Sequence, residues 1–161
     1  MVMARTERVH TREVDLAVFS ANGELQLVAE VKNRVDATPD WAARMRLNLV
    51  EYSDMPEAPF FLLALPDHFY LWHDVMPRNT LAYPQYDLNP TPILAPYFGD
   101  TSRSAATMSE SGLLLAVSAW LSDLVVSSLD RREVRPDLMW LFDSMLYDTI
   151  NGGTVRPYAT L

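Results

Sequence analysis

The sequence predicts one α/β domain over residues 1–161: a mixed β-sheet flanked by helices, with two helices at the C-terminal end. Three observations lead there. Two strand-like runs flank Asn22-Gly23, a helical pattern opens at Thr38, and a continuous apolar run, Phe60–Leu65, follows that helix. Hydrophobic residues are 49% of the chain and aromatics 11%, enough for a core that folds without staples. There is no cysteine, which excludes disulfides and thiolate metal sites.

The first strand pair spans residues 13–32. Asn-Gly is the strongest short hairpin signal, because both central residues of a type I′ turn need φ > 0. With Asn22 and Gly23 as a two-residue loop, paired positions sum to 45 and Asp15 lies opposite Glu30. Side chains alternate along a strand, so Lys32 shares the face of Glu30. The other face of the hairpin is Val14, Leu16, Val18, Leu25, Leu27, Ala29 and Val31, wholly apolar and expected to pack on the core.

The remaining elements follow in order. Residues 5–12 are polar and suggest a short strand or an arm. Thr38 as N-cap and Pro39 at the first helical position start a helix to about Tyr52, with Trp41, Met45, Leu49 and Tyr52 as its inner face. Phe60–Leu65 reads as a central strand buried on both faces, and Pro66-Asp67 turns the chain into a neighbouring strand, Phe69–Trp72. Residues 74–108 form a Pro- and Tyr-rich excursion, and Ser109–Leu129 is helical. Arg135-Pro136-Asp137 opens a last helix to about Ile150, buried through Leu138, Leu141, Phe142, Met145 and Leu146 and stopped by Asn151-Gly152-Gly153. The core is thus 12–74, and the C-terminal helices fill 109–150.

Two carboxylates on opposed strand positions have Cβ atoms about 4.5–5.5 Å apart and repel each other. A basic neighbour or a bound cation relieves that repulsion. Lys32, the single lysine beside twelve arginines, supplies the first. The paired oxygens suit the second, because Mg²⁺ is typically held by one or two carboxylates with water and phosphate completing its shell.

The arrangement Asp15-x14-Glu30-x-Lys32 on a hairpin, followed by a helix and two apolar strands, resembles the PD-(D/E)XK nuclease superfamily, the restriction-endonuclease-like fold, in its small bacterial stand-alone form. The resemblance covers residues 12–74, and Val14 stands where the family has its proline. It implies an Mg²⁺- or Mn²⁺-dependent nuclease hydrolysing phosphodiester bonds of DNA or RNA. Asp15, Glu30 and the Val31 carbonyl would bind the metal, and Lys32 would polarise the attacking water. Asn33, Arg34, Arg44 and Arg46 would meet the nucleic acid. The family core also has a helix before its first strand, often with a further acid. The twelve residues before Glu13 are too few for a strand and that helix, and Glu7 and Glu13 are poor substitutes for the acid.

Charge bears on this reading. The net −8 opposes a polyanion, yet residues 1–50 are balanced at seven basic and seven acidic, and the deficit falls in 51–161 with six and fourteen. The alternative is a non-catalytic module of the same fold, its apolar C-terminal helices serving a homodimer or a partner subunit. The N-terminus lacks an apolar signal core, and Leu113–Leu121 is too short to span a bilayer, so a cytoplasmic protein without membrane contact is expected. His10, His68 and His73 have no metal-ligand spacing, and no nucleophile elbow, P-loop or dinucleotide fingerprint occurs.

Overall fold

The computed structural model describes residues 13–98 and 108–161; the arm expected over 5–12 and the end of the Pro/Tyr excursion lie outside them. The strands are β1 (Glu13–Phe19), β2 (Leu25–Val31), β3 (Phe60–Ala64), β4 (Phe69–His73), β5 (Tyr86–Leu88) and β6 (Thr154–Thr160). The helices are α1 (Pro39–Tyr52), α2 (Thr91–Leu94), α3 (Glu110–Val126), α4 (Trp140–Asp143) and α5 (Leu146–Ile150). The fold is α/β: one six-stranded mixed sheet, ordered β5-β4-β3-β2-β1-β6, with helices on both faces. β2 and β3 are parallel, joined through α1, and every other pairing is antiparallel.

The faces follow from strand alternation. Leu16, Val18, Leu27, Ala29 and Val31 pack with Leu62 and Leu71 under α3, α4 and α5. Ala17, Val28, Phe61, Leu63, Tyr70 and Trp72 pack on the opposite face under α1, through Ala42 and Leu49. β3 is buried at all five positions, as a strand covered on both sides must be. Thr38 caps α1 by accepting from the Trp41 N–H at 3.2 Å, and Ser109 caps α3 by accepting from the Gly112 N–H at 3.0 Å.

The hairpin turn differs from the expected one. Ser20 accepts from the Gly23 N–H (2.9 Å) and donates its own N–H to Glu24 (2.8 Å). Gly23 has φ +82°, whereas Asn22 is not among the positive-φ residues. This is a three-residue connection with a left-handed glycine, which sets the first pair, Phe19↔Leu25, one step out of register. An irregularity between Val18 and Phe19 restores it, and the pairs Val18↔Leu27, Ala17↔Val28 and Leu16↔Ala29 all sum to 45. The expected register therefore holds over these three pairs, by two compensating offsets, and the ladder ends before the expected pair of Asp15 and Glu30. Leu25 pays the difference: it joins Phe19 on the α1 face and not the core face expected of it.

The C-terminal half brings further corrections. The last expected helix is broken into a 3₁₀ turn at Pro136–Leu138, then α4 and α5. The break lies at Met145, which is left-handed at φ +68° and 59% exposed where burial was expected. Ser144 stabilises it, its Oγ accepting from the Leu146 N–H at 3.2 Å. Tyr52, expected inside, is 80% exposed at the last position of α1. β6 was not foreseen: Arg156, Pro157 and an exposed pattern conceal an edge strand that pairs with β1.

β6 reaches β1 through a tight reversal. Gly152 (φ +78°) donates to Val125 (2.7 Å), and Gly153 lies so close to the Phe19 carbonyl that a Cβ there would collide with backbone. Gly153→Ala should therefore cost about 2–4 kcal/mol, and Gly23→Ala, strained in φ but open in space, about 1–2 kcal/mol. Urea denaturation of the two variants checks that order.

Candidate active site

Asp15 lies at the point where the β1–β2 ladder stops. The last recorded pair is Leu16↔Ala29, one step short of Asp15 and Glu30. Beyond it the Val31 N–H donates to Asp15 Oδ2 at 2.8 Å. The carboxylate thus takes a backbone donor where a strand carbonyl would continue the ladder. Side-chain alternation is interrupted at the same place, since Val14 packs with the α1-face cluster and Leu16 with the opposite one. Asp15 consequently reaches the backbone edge of the run Glu30-Val31-Lys32.

Glu30 is 3% exposed and paired with Leu63 of β3. It lies two residues beyond Val28, on the α1 face. Across the sheet its row continues through Leu63 and Tyr70 to Asp87. The Tyr70 hydroxyl donates to the Ala37 carbonyl (2.8 Å), which fixes the chain just before α1 over this row. Burial, with the negative charges of Asp87 and Asp67, pushes the Tyr70 hydroxyl up from 10.0 to about 12. Lys32 is half-buried, and its N–H donates to Ala64 at 3.1 Å. Among the described residues its ammonium forms no ion pair.

The connection after β2 is tied down on two sides. The Asn33 N–H donates to Glu110 Oε1 at 3.3 Å, and the Asp36 N–H to Asp67 Oδ2 at 2.8 Å. Glu110, in the first turn of α3, is the acidic neighbour that sequence reasoning missed; it lies 77 residues from Asn33, and no local pattern joins them. Of the basic residues expected near nucleic acid, Arg34 is exposed and stacked over Trp41 at 4.5 Å, and Arg44 is exposed on α1. Arg46 departs from that expectation. It is 5% exposed and donates to the carbonyls of Arg78 (2.9 Å) and Thr80 (3.2 Å), so it faces the sheet and not solvent.

Chemically, Asp15, Glu30 and Val31 carry oxygen donors at this strand end. Extended backbone points the N–H and C=O of one residue to the same edge, so the Val31 carbonyl shares the side on which Asp15 is bound. Two carboxylates and a carbonyl are hard oxygen ligands of the kind Mg²⁺ and Mn²⁺ take. Among the described residues, no group of three or more His, Asp or Glu side chains is placed to hold a metal. Comparison of the chain with family models, curated proteins and solved structures found no match. No helix among the described residues is long and apolar enough to cross a membrane.

The Val31–Asp15 hydrogen bond predicts a graded response. Asp15→Ala leaves the Val31 donor without its acceptor and should cost about 1–3 kcal/mol, whereas Asp15→Asn keeps an acceptor oxygen and should retain most of that stability. Chemical denaturation of both variants without added metal reads the difference. At high pH, Tyr70 contributes stability that is complete below about pH 10 and lost as pH rises through about 12, because the folded hydroxyl holds its proton longer than the unfolded one. In Tyr70→Phe the alkaline fall in melting temperature should be smaller.

Proposed function

We propose that this chain is a divalent-metal-dependent phosphodiesterase acting on nucleic acid, with a restriction-endonuclease-like sheet as its scaffold. One observation carries the reading: the Asp15 carboxylate is bound to the backbone of the run that holds Glu30 and Lys32. The order of elements supports it, with an antiparallel hairpin bearing the acids, then a helix, then a strand parallel to the second hairpin strand.

In this reading Asp15, Glu30 and the Val31 carbonyl hold Mg²⁺ or Mn²⁺, with water and substrate phosphate completing the shell. When bound, the metal lowers the pKa of water and neutralises phosphate charge. The residues of the chain do the rest. Asp15 is held in place by the Val31 N–H. Lys32, the residue after Val31, orients the nucleophile or stabilises charge developing on the phosphoryl oxygens. Asn33 and Arg34 are exposed directly after β2, and Arg44 lies on the exposed side of α1, where a phosphate backbone can meet them.

A non-catalytic module of the same fold is the second reading. The observation that favours it is the same hydrogen bond, which gives Asp15 a structural task that needs no metal. The two separate in one experiment. Catalysis predicts that Mg²⁺ or Mn²⁺ raises the melting temperature of the wild type and not of Asp15→Asn. It also predicts that nuclease activity falls by at least about 100-fold in Lys32→Ala and Glu30→Gln, the range of a lost charge-stabilising or metal-holding group. Equal cutting by wild type and Lys32→Ala would assign the activity to a contaminant and leave the module reading.

A further inference from the structure

The α1 face has a second polar feature, at the opposite end of the sheet from Asp15. A cavity of about 200 Å³ opens between the C-terminal half of α1, the segment before β3 and the segment after β4. Its walls are mainly apolar, among them Val28, Val50, Phe61 and Trp72. Two guanidiniums, Arg46 and Arg78, also line it. Val28 is four residues before Lys32 on one extended segment, so the cavity lies roughly 13 Å along the strand from the acidic end.

The two arginines are held in an unusual way. Arg46, at 5% exposure, donates only to the carbonyls of Thr80 and Arg78, and Arg78 donates to the Met55 carbonyl. These acceptors are neutral. Among the described residues neither guanidinium forms an ion pair. Glu57 acts on Arg78 only at longer range, and Asp74, also on the wall, is paired with His73 at 2.9 Å. Both guanidiniums are held below their usual pKa: Arg46 by burial and then by the charge of Arg78, and Arg78 by burial, against which Glu57 acts. Arg46 is a buried charge held by neutral acceptors, which is costly, and the half-buried Arg78 beside it adds like-charge repulsion. An anion against the two guanidiniums reduces that cost.

The walls restrict what that anion is. Both of Arg46's terminal nitrogens already serve one carbonyl each, and the Trp72 Nε1–H is taken by the Ala82 carbonyl at 2.9 Å. With Glu57 and Asp74 on the lining, a multiply charged phosphate meets repulsion. The remaining surface is apolar and aromatic. We propose that the cavity is a binding site for a small organic monocarboxylate, its carboxylate against Arg46 and Arg78 and its apolar body against Phe61, Trp72 and Val28. The size fits a single ring or a short chain and not a drug-sized ligand.

The test uses the full chain with sodium benzoate and sodium hexanoate as probes, and with benzyl alcohol, sodium chloride and inorganic phosphate as controls. Calorimetric titration and melting curves are read together. Benzoate or hexanoate should bind saturably and raise the melting temperature, with no effect from benzyl alcohol or chloride at equal concentration. Arg78→Gln, which keeps a donor for the Met55 carbonyl, should weaken binding by at least about tenfold. Val50→Phe, which fills the cavity from α1, should abolish it while leaving Arg46 in place. The proposal fails if neither carboxylate binds, if benzyl alcohol binds as well as benzoate, if phosphate binds and the carboxylates do not, or if Arg78→Gln and Val50→Phe folded as wild type leave affinity unchanged.

Discussion

The hydrogen bond from Val31 to Asp15 is the constraint around which this end of the molecule is arranged. A buried backbone N–H needs an acceptor. β1 stops supplying carbonyls after Leu16, and an acidic side chain takes over. The same exchange lets β1 turn its next residue, Val14, to the other face of the sheet. It also fixes a carboxylate beside Glu30 and Lys32 without requiring a perfect ladder. A structural need and a chemical opportunity therefore fall on one atom pair.

Helix α1 spans two chemically opposite ends. Its N-terminus lies over the Glu30–Leu63–Tyr70–Asp87 row, anchored through Ala37 to the Tyr70 hydroxyl. The positive end of the helix dipole thus faces the acidic end of the sheet. Two turns on, Arg46 enters the α1 face and ties the helix to the carbonyls of residues 78 and 80. Between the ends the face is apolar, with Val28, Leu63, Leu49 and Ala42 excluding water. The negative and positive features are separated by a low-dielectric layer and do not neutralise each other.

Long-range ties complete the arrangement. Glu110 of α3 meets the Asn33 amide, and Asp67 in the β3–β4 turn meets the Asp36 amide. Both acids are exposed or half-exposed in composition terms unremarkable, yet they hold the segment that leads from the acid strand into α1. Tyr97 in the Pro/Tyr excursion likewise donates to Asp123 of α3 at 2.5 Å, with burial and that carboxylate pushing its hydroxyl up to about 12. The excursion is thereby fastened to the helical face, on which its Tyr86, Tyr97 and Phe98 pack.

Local pattern determined much of this protein. The Thr38 cap and Pro39 placed α1, the apolar run placed β3, Ser109 placed the start of α3, and Asn-Gly placed a hairpin between β1 and β2. Each rests on hydrogen bonds or alternation among residues close in the chain. What tertiary structure decided rests on partners far apart: β6 exists because β1 offers an edge, and the last helix breaks where Met145 turns left-handed. Arg46 is buried because carbonyls 32 and 34 residues away receive it. A guanidinium on a helix carries no mark of which neighbours will arrive, and the free energy that decides whether it faces water or the sheet is set only when they do.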